Sequence, residues 1–155
     1  MCYLLYLGAD RELPTIEQDD PNSPAFFVIA ESSPSTQLRK HLQSTYIYYI
    51  GSYEGCGCGF CYESSTELDA LLISMMPDKM KQEEREDRQA CISSVDSLRN
   101  YLTSVTQYGP VKLLVTWCGP GRQPPHHVTT VTPDHFGGDQ FSLEEDTLFE
   151  VIHHT

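Results

Sequence analysis

The run Cys2-Tyr-Leu-Leu-Tyr-Leu-Gly8 is apolar and aromatic throughout, with no polar residue alternating along it. A strand with one wet face alternates; a strand without alternation is covered on both faces. The run therefore predicts a central strand, which needs neighbours on either side and layers above and below. Other segments can supply the neighbours. Phe26-Phe-Val-Ile-Ala30, Tyr46-Ile-Tyr-Tyr-Ile50, Val111-Lys-Leu-Leu-Val-Thr-Trp117, Val128-Thr-Thr-Val-Thr132 and Thr147-Leu-Phe-Glu-Val-Ile152 are rich in the β-branched and aromatic residues that suit a pleated surface.

Helical signals lie between them. Ser33-Pro34 reads as a cap followed by proline at the first helical position, opening a short helix to about Leu42. Leu38 and Leu42 share one face of it. Strand, helix and strand in this order predict a right-handed parallel crossover. Ser64-Ser-Thr-Glu67 has the form of a capping box. Leu68, Leu71, Leu72, Met75 and Met76 follow at helical spacing until Pro77. Residues 79–90 are almost all charged and read as a solvated helical face or a mobile segment. Ile92, Val95, Leu98, Leu102 and Val105 resume the 3.6-residue period, with Gly109-Pro110 as the stop. The longest helix is expected near residues 83–108, and Thr132-Pro133 is expected to cap a single turn. The chain has 155 residues, enough to bury a core within one domain. The predicted fold is α+β: one domain over residues 1–155, a mixed sheet of five or six strands, and two or three helices packed on it.

Charge narrows the partners. Ten Lys and Arg against 22 Asp and Glu leave a net charge of −12, and the cations are scattered. Such a chain repels phosphate backbones and anionic headgroups, so neither nucleic acid nor membrane is expected as a partner. No apolar run approaches the roughly 18 residues of a membrane span. The run from Cys2 to Ala9 is too short for a signal-peptide core, has no Lys or Arg before it and is closed by Asp10. The expectation is a cytoplasmic, reducing location. A protein partner, or a homodimer built on segment 79–90, is the association left open.

The six cysteines carry the most specific chemistry. Three of them fall in Gly55-Cys56-Gly57-Cys58-Gly59-Phe60-Cys61, too close together for long-range staples. In an extended segment Cys56 and Cys58 point to the same side. Thiolates are soft ligands for zinc or iron, and glycines let a backbone bend round an ion. Cys56, Cys58 and Cys61 supply three thiolates, and Cys118, Cys2, His126 or His127 is the candidate fourth ligand. The predicted set is Cys56, Cys58, Cys61 and Cys118, with zinc as the ion. A structural zinc site usually has two separated ligand pairs, and no second C-x-x-C is present. The competing expectation is close packing, with glycines admitting backbone approach and cysteines acting as small buried hydrophobes. Sulfurs turned into separate pockets favour packing; sulfurs turned together favour a ligand role.

Other readings use the same residues. Cys58-Gly-Phe-Cys61 is a C-x-x-C ahead of a helix start, where a thiol becomes reactive, but the cap Ser64 lies three residues beyond the second cysteine. Trp117-Cys118-Gly119-Pro120 is similar to the first four residues of the thioredoxin active site; Gly121 stands where the second cysteine belongs, so the likeness implies at most a monothiol role. If Met1 is removed, Cys2 opening an apolar strand resembles the N-terminal-nucleophile amidohydrolases, including glutamine amidotransferases. That resemblance implies a thiol nucleophile with the α-amino group, pKa about 8, as base. His126-His127 and His153-His154 are adjacent pairs, which point to opposite faces of a strand and do not chelate one ion. The glycines run G-x-G-x-G rather than G-x-G-x-x-G, which fails the dinucleotide spacing. The leading specific expectation is a non-enzymatic metal- or thiol-binding domain. The alternatives are an interaction module with packed cysteines and a hydrolase using Cys2.

Overall fold

The apolar run at the N-terminus is central, as its lack of alternation predicts. A computed structural model describes residues 2–60, 67–137 and 143–154. In chain order the elements are β1 (Tyr3–Ala9), β2 (Phe26–Ala30), α1 (Thr36–Leu42), β3 (Tyr46–Ser52), α2 (Glu67–Ser74), α3 (Asp78–Thr106), β4 (Val111–Trp117), β5 (His127–Val131) and β6 (Thr147–Val151). The strands form one six-stranded sheet in the order β2-β3-β1-β4-β6-β5. All pairs are antiparallel except β5 with β6. The sheet is therefore mixed, and the fold is α+β in a single domain.

The predicted parallel crossover is not formed. β2 and β3 are antiparallel neighbours, with Phe26 opposite Ser52 and Ala30 opposite Tyr48. Residues 31–45 are long enough for either return. The antiparallel one is fixed by pairing, which the Glu31 N–H extends past the strand end by donating to the Ile47 carbonyl at 2.9 Å. The short helix instead elaborates a hairpin. Its cap is also displaced from the predicted Ser33 to Ser35, whose Oγ accepts from the Leu38 N–H at 3.1 Å.

Two apolar layers cover the sheet. On one face Val95, Leu98, Tyr101, Leu102 and Val105 of α3 pack with Leu5, Leu7, Val28, Ile50, Leu113 and Phe149. On the other, Leu38 and Leu42 of α1 meet Ile47, Leu114 and Leu148. α3 is 29 residues long and starts before the predicted boundary, with Pro77 at its N-cap. Residues 79–90 are helical, supported by Gln82 donating to Glu86 at 2.9 Å and an Arg88–Glu84 pair at 3.8 Å, both four residues apart. At the other end of α3, Arg11 donates to the carbonyls of Val105 and Gly109, placing a cation on the negative helix terminus.

α2 departs from the expectation that the helices pack on the sheet. It forms over its periodic leucines but buries none of its residues. The Ser64-Ser-Thr66 part of the predicted capping box lies outside the described residues. Among the described residues, no helix is long and apolar enough to cross a membrane.

Candidate metal centre

The pairing of β1 with β3 builds the site. Leu5 lies opposite Ile50 and the strands run antiparallel, so β1 begins beside the end of β3. Cys2 immediately precedes β1. Cys56 lies four residues past the end of β3.

The loop after β3 is folded back by named hydrogen bonds. The Ser52 N–H donates to the Cys56 carbonyl at 3.0 Å. Ser52 Oγ donates to the same carbonyl at 2.6 Å and accepts from the N–H groups of Gly59 at 3.2 Å and Glu54 at 3.3 Å. The Tyr49 hydroxyl donates to the Gly55 carbonyl at 2.9 Å. The Tyr53 N–H donates to Ser94 Oγ of α3 at 3.2 Å, and that hydroxyl donates on to Ala25 at 2.8 Å. The chain then enters a 3₁₀ turn, Gly57–Phe60, ending on a fully buried phenylalanine.

Gly57 explains how the loop reaches β1. A Cβ there would stand 2.4 Å from Leu5 Cδ1 and 2.9 Å from the Tyr3 carbonyl oxygen. Only a residue without a side chain permits that approach. The approach carries Cys56 and Cys58 to the end of the strand that Cys2 precedes.

The result is a cluster of three sulfurs. Sγ of Cys2, Cys56 and Cys58 all lie within 4.8 Å of one another, and each residue is half-buried. All three thiols are free. Cys56 is the hub. Burial pushes its thiol up to about 12, the thiols of Cys2 and Cys58 hydrogen-bonded to it push the same way, and a hydrogen bond from the Cys58 backbone opposes them. The Tyr49 phenol faces the same group. Burial raises it to about 12, with Cys56, Tyr6, Cys2 and Cys58 adding to the rise.

The predicted ligands fare differently. Cys56 and Cys58 come together, though through a 3₁₀ turn rather than the extended segment expected. Cys61 lies outside the described residues. Cys118 is next to Cys2 across the sheet, its N–H donating to the Cys2 carbonyl at 2.9 Å. Its φ of 63° ends β4 and leaves the side chain exposed, and its sulfur is not in the cluster. Cys2, one of four candidates for the fourth ligand, is the one that joins. His126 and His127 sit at the start of β5, three strands from β1 and roughly 14 Å away. His126 pairs there with Asp146 instead. His154 is exposed, 3.8 Å from Asp134.

Ser52 and Tyr49 were not visible as site residues from sequence. The only signal was position, two hydroxyls among the last four residues of a strand that runs into a glycine-rich loop. Ser52→Ala is expected to leave the Gly59 N–H without its acceptor at a buried point, costing roughly 1–3 kcal/mol. At about 2–4 °C per kcal/mol for a chain of this size, calorimetry should show a clear fall in Tm. An unchanged Tm would mean the serine does not hold the loop.

No family model, curated protein or solved structure matches the chain.

Proposed function

We propose that this chain is a small metal-binding domain in which the thiolates of Cys2, Cys56 and Cys58 hold one soft cation, zinc in the first instance, without enzymatic chemistry of its own. The observation that carries this reading is the convergence of three sulfurs from two distant segments within 4.8 Å. Zn–S bonds near 2.3 Å place tetrahedral sulfurs about 3.8 Å apart. The cluster therefore needs only a small contraction. Three thiolates leave one coordination position for a further donor. The net charge of −12 favours a cation as the guest. Free thiols suit a reducing location, and the reading places the domain in the cytoplasm.

Half-burial supports ligation over simple packing. Free cysteines acting as small hydrophobes are among the most fully buried residues. Here they share one surroundings and hydrogen-bond to each other through Cys56.

Metal analysis of protein purified without a tag tests the reading. Close to one zinc per chain is expected. A stably folded protein that stays metal-free in excess zinc returns the cysteines to a packing role in an interaction module.

Binding should also depend on pH in a defined direction. The Cys56 thiol, raised to about 12, is protonated at neutral pH, while the ligand is the thiolate. Each ion bound must displace that proton. Zinc affinity is therefore expected to rise roughly tenfold per pH unit from Cys56 alone between about pH 6 and 8. Competition titration with a chromophoric chelator measures it. A flat profile would exclude Cys56 as a ligand.

A further inference from the structure

Thiols packed this closely have a second chemistry besides ligation. Sγ of Cys2, Cys56 and Cys58 lie within 4.8 Å of one another, and all three are free. One rotamer step swings a cysteine sulfur by roughly 3 Å, more than the excess of 4.8 Å over the about 2.05 Å of a disulfide.

We propose that Cys2 and Cys56 join in a reversible disulfide when hydrogen peroxide reaches the cluster, and that this bond dismantles the three-sulfur site. The loss of the site rests on the metal reading above; the bond itself does not.

The backbone selects the pair. Cys56 hydrogen-bonds to the thiols of both Cys2 and Cys58, so it is the sulfur common to the contacts. A Cys56–Cys58 bond closes a ring over Gly57 alone, and a ring that small needs the backbone there to shift. Gly57 is wedged against β1: a Cβ on it would stand 2.9 Å from the Tyr3 carbonyl oxygen and 2.4 Å from Leu5 Cδ1. Cys2 comes from a separate segment and precedes β1, so its bond to Cys56 closes no ring over the turn. Ser52 holds the Cys56 carbonyl and leaves the side chain free to rotate. The bond ties together residues 54 apart, and a loop that long gains more from a cross-link than a three-residue one.

The step balances. One thiol, as its thiolate, attacks a peroxide oxygen: an S–O bond forms, the O–O bond breaks and water leaves, giving a sulfenic acid. The second thiol attacks that sulfur: the S–S bond forms, the S–O bond breaks and a second water leaves. Two thiols and one hydrogen peroxide thus give one disulfide and two waters, with two electrons passing from sulfur to oxygen. Of the three proposed ligands, Cys58 alone then keeps a thiolate to offer. Two glutathione thiols reduce the bond by exchange and leave as glutathione disulfide. Transient, redox-sensing disulfides of this kind are the sort a reducing compartment holds.

The metal-free full chain, treated with one equivalent of hydrogen peroxide and then alkylated, tests the bond without zinc. The mass should fall by two hydrogens, and four of the six cysteines should take the label. Trypsin should leave the peptide ending at Arg11 linked to the one ending at Lys79, which carries Cys56, Cys58 and Cys61. The link should persist in Cys58→Ser and Cys61→Ser and vanish in Cys56→Ser. A bond between Cys56 and Cys58, a link from Cys2 to the peptide that carries Cys118, or oxidation that runs on to sulfinic acid overturns the proposal. The zinc-loaded chain under the same peroxide should release about one zinc per disulfide to a chromophoric chelator and recover it with dithiothreitol. Zinc retained after the bond has formed overturns the loss of the site. A chain that forms the bond yet never takes zinc supports the disulfide and removes the metal reading. One that takes zinc and forms no bond overturns this proposal alone.

Discussion

Cys56→Ser is expected to lower zinc affinity by roughly two to three decades while leaving the fold in place. Structural zinc sites bind with about 10–16 kcal/mol in all, or roughly 3 kcal/mol per ligand. Each 1.4 kcal/mol is a factor of ten. The loss should exceed the roughly 10–100-fold that a partner behind a ligand costs. The fold should survive because the loop is held through the Cys56 carbonyl, which accepts from Ser52, and not through the sulfur. The thiol is also only half-buried, so a hydroxyl there still reaches solvent. A second readout separates ligation from packing. Zinc at about 100 times its Kd adds about 2.7 kcal/mol to stability, or roughly 5–10 °C of Tm. A chelator should remove that increment from the wild type and leave Cys56→Ser unmoved. A variant that still takes one zinc with wild-type affinity would remove Cys56 from the site.

Phe60→Ala is the substitution expected to cost the fold most. The ring is fully buried at the end of the cysteine turn. It meets Phe26 edge-on at 6.2 Å, and Phe26 meets Tyr101 of α3 at 5.6 Å. These contacts tie the site loop to β2 and to the long helix. Truncating a buried phenylalanine costs about 3–5 kcal/mol, through lost transfer energy and the cavity left behind. That is a large part of the 5–15 kcal/mol a domain commonly has. Thermal unfolding should show a fall in Tm of roughly 10–15 °C. Zinc affinity should fall with it, because Cys58 lies two residues before the lost anchor. Leu72→Ala on the exposed helix should move stability by less than about 0.5 kcal/mol. A Phe60→Ala effect as small as that would mean the turn is not anchored by its ring.

The strands were legible because their chemistry is local. Residues 2–8 and 111–117 lack polar alternation, and they became the adjacent central strands β1 and β4. The 3.6-residue period of Val95, Leu98, Leu102 and Val105 likewise marked the buried half of α3. What failed was pairing, which no local pattern encodes. The α1 connection suggested a parallel return, and only the antiparallel register of β2 with β3 rules it out.

The site was half legible for the same reason. Cys56 and Cys58 are neighbours in sequence, and their convergence follows from the turn. Cys2 is 54 residues from Cys56, and it joins only because β1 and β3 are antiparallel in one particular register. Cys118 is adjacent to Cys2 by pairing yet misses the cluster, since a left-handed residue at a strand end aims its side chain to solvent. α2 shows the reverse difficulty. Its leucines fit a core helix by spacing, yet none of them is buried, because spacing reports which residues share a face and not what covers it.

X-ray absorption at the zinc edge, on untagged protein loaded with one equivalent of zinc, tests the central claim most directly. Three sulfur scatterers near 2.3 Å are expected, falling to two in Cys56→Ser and again to two in Cys2→Ser. A zinc shell made only of nitrogen and oxygen, or one that Cys2→Ser leaves unchanged, would contradict the assignment of Cys2, Cys56 and Cys58 as a single metal site.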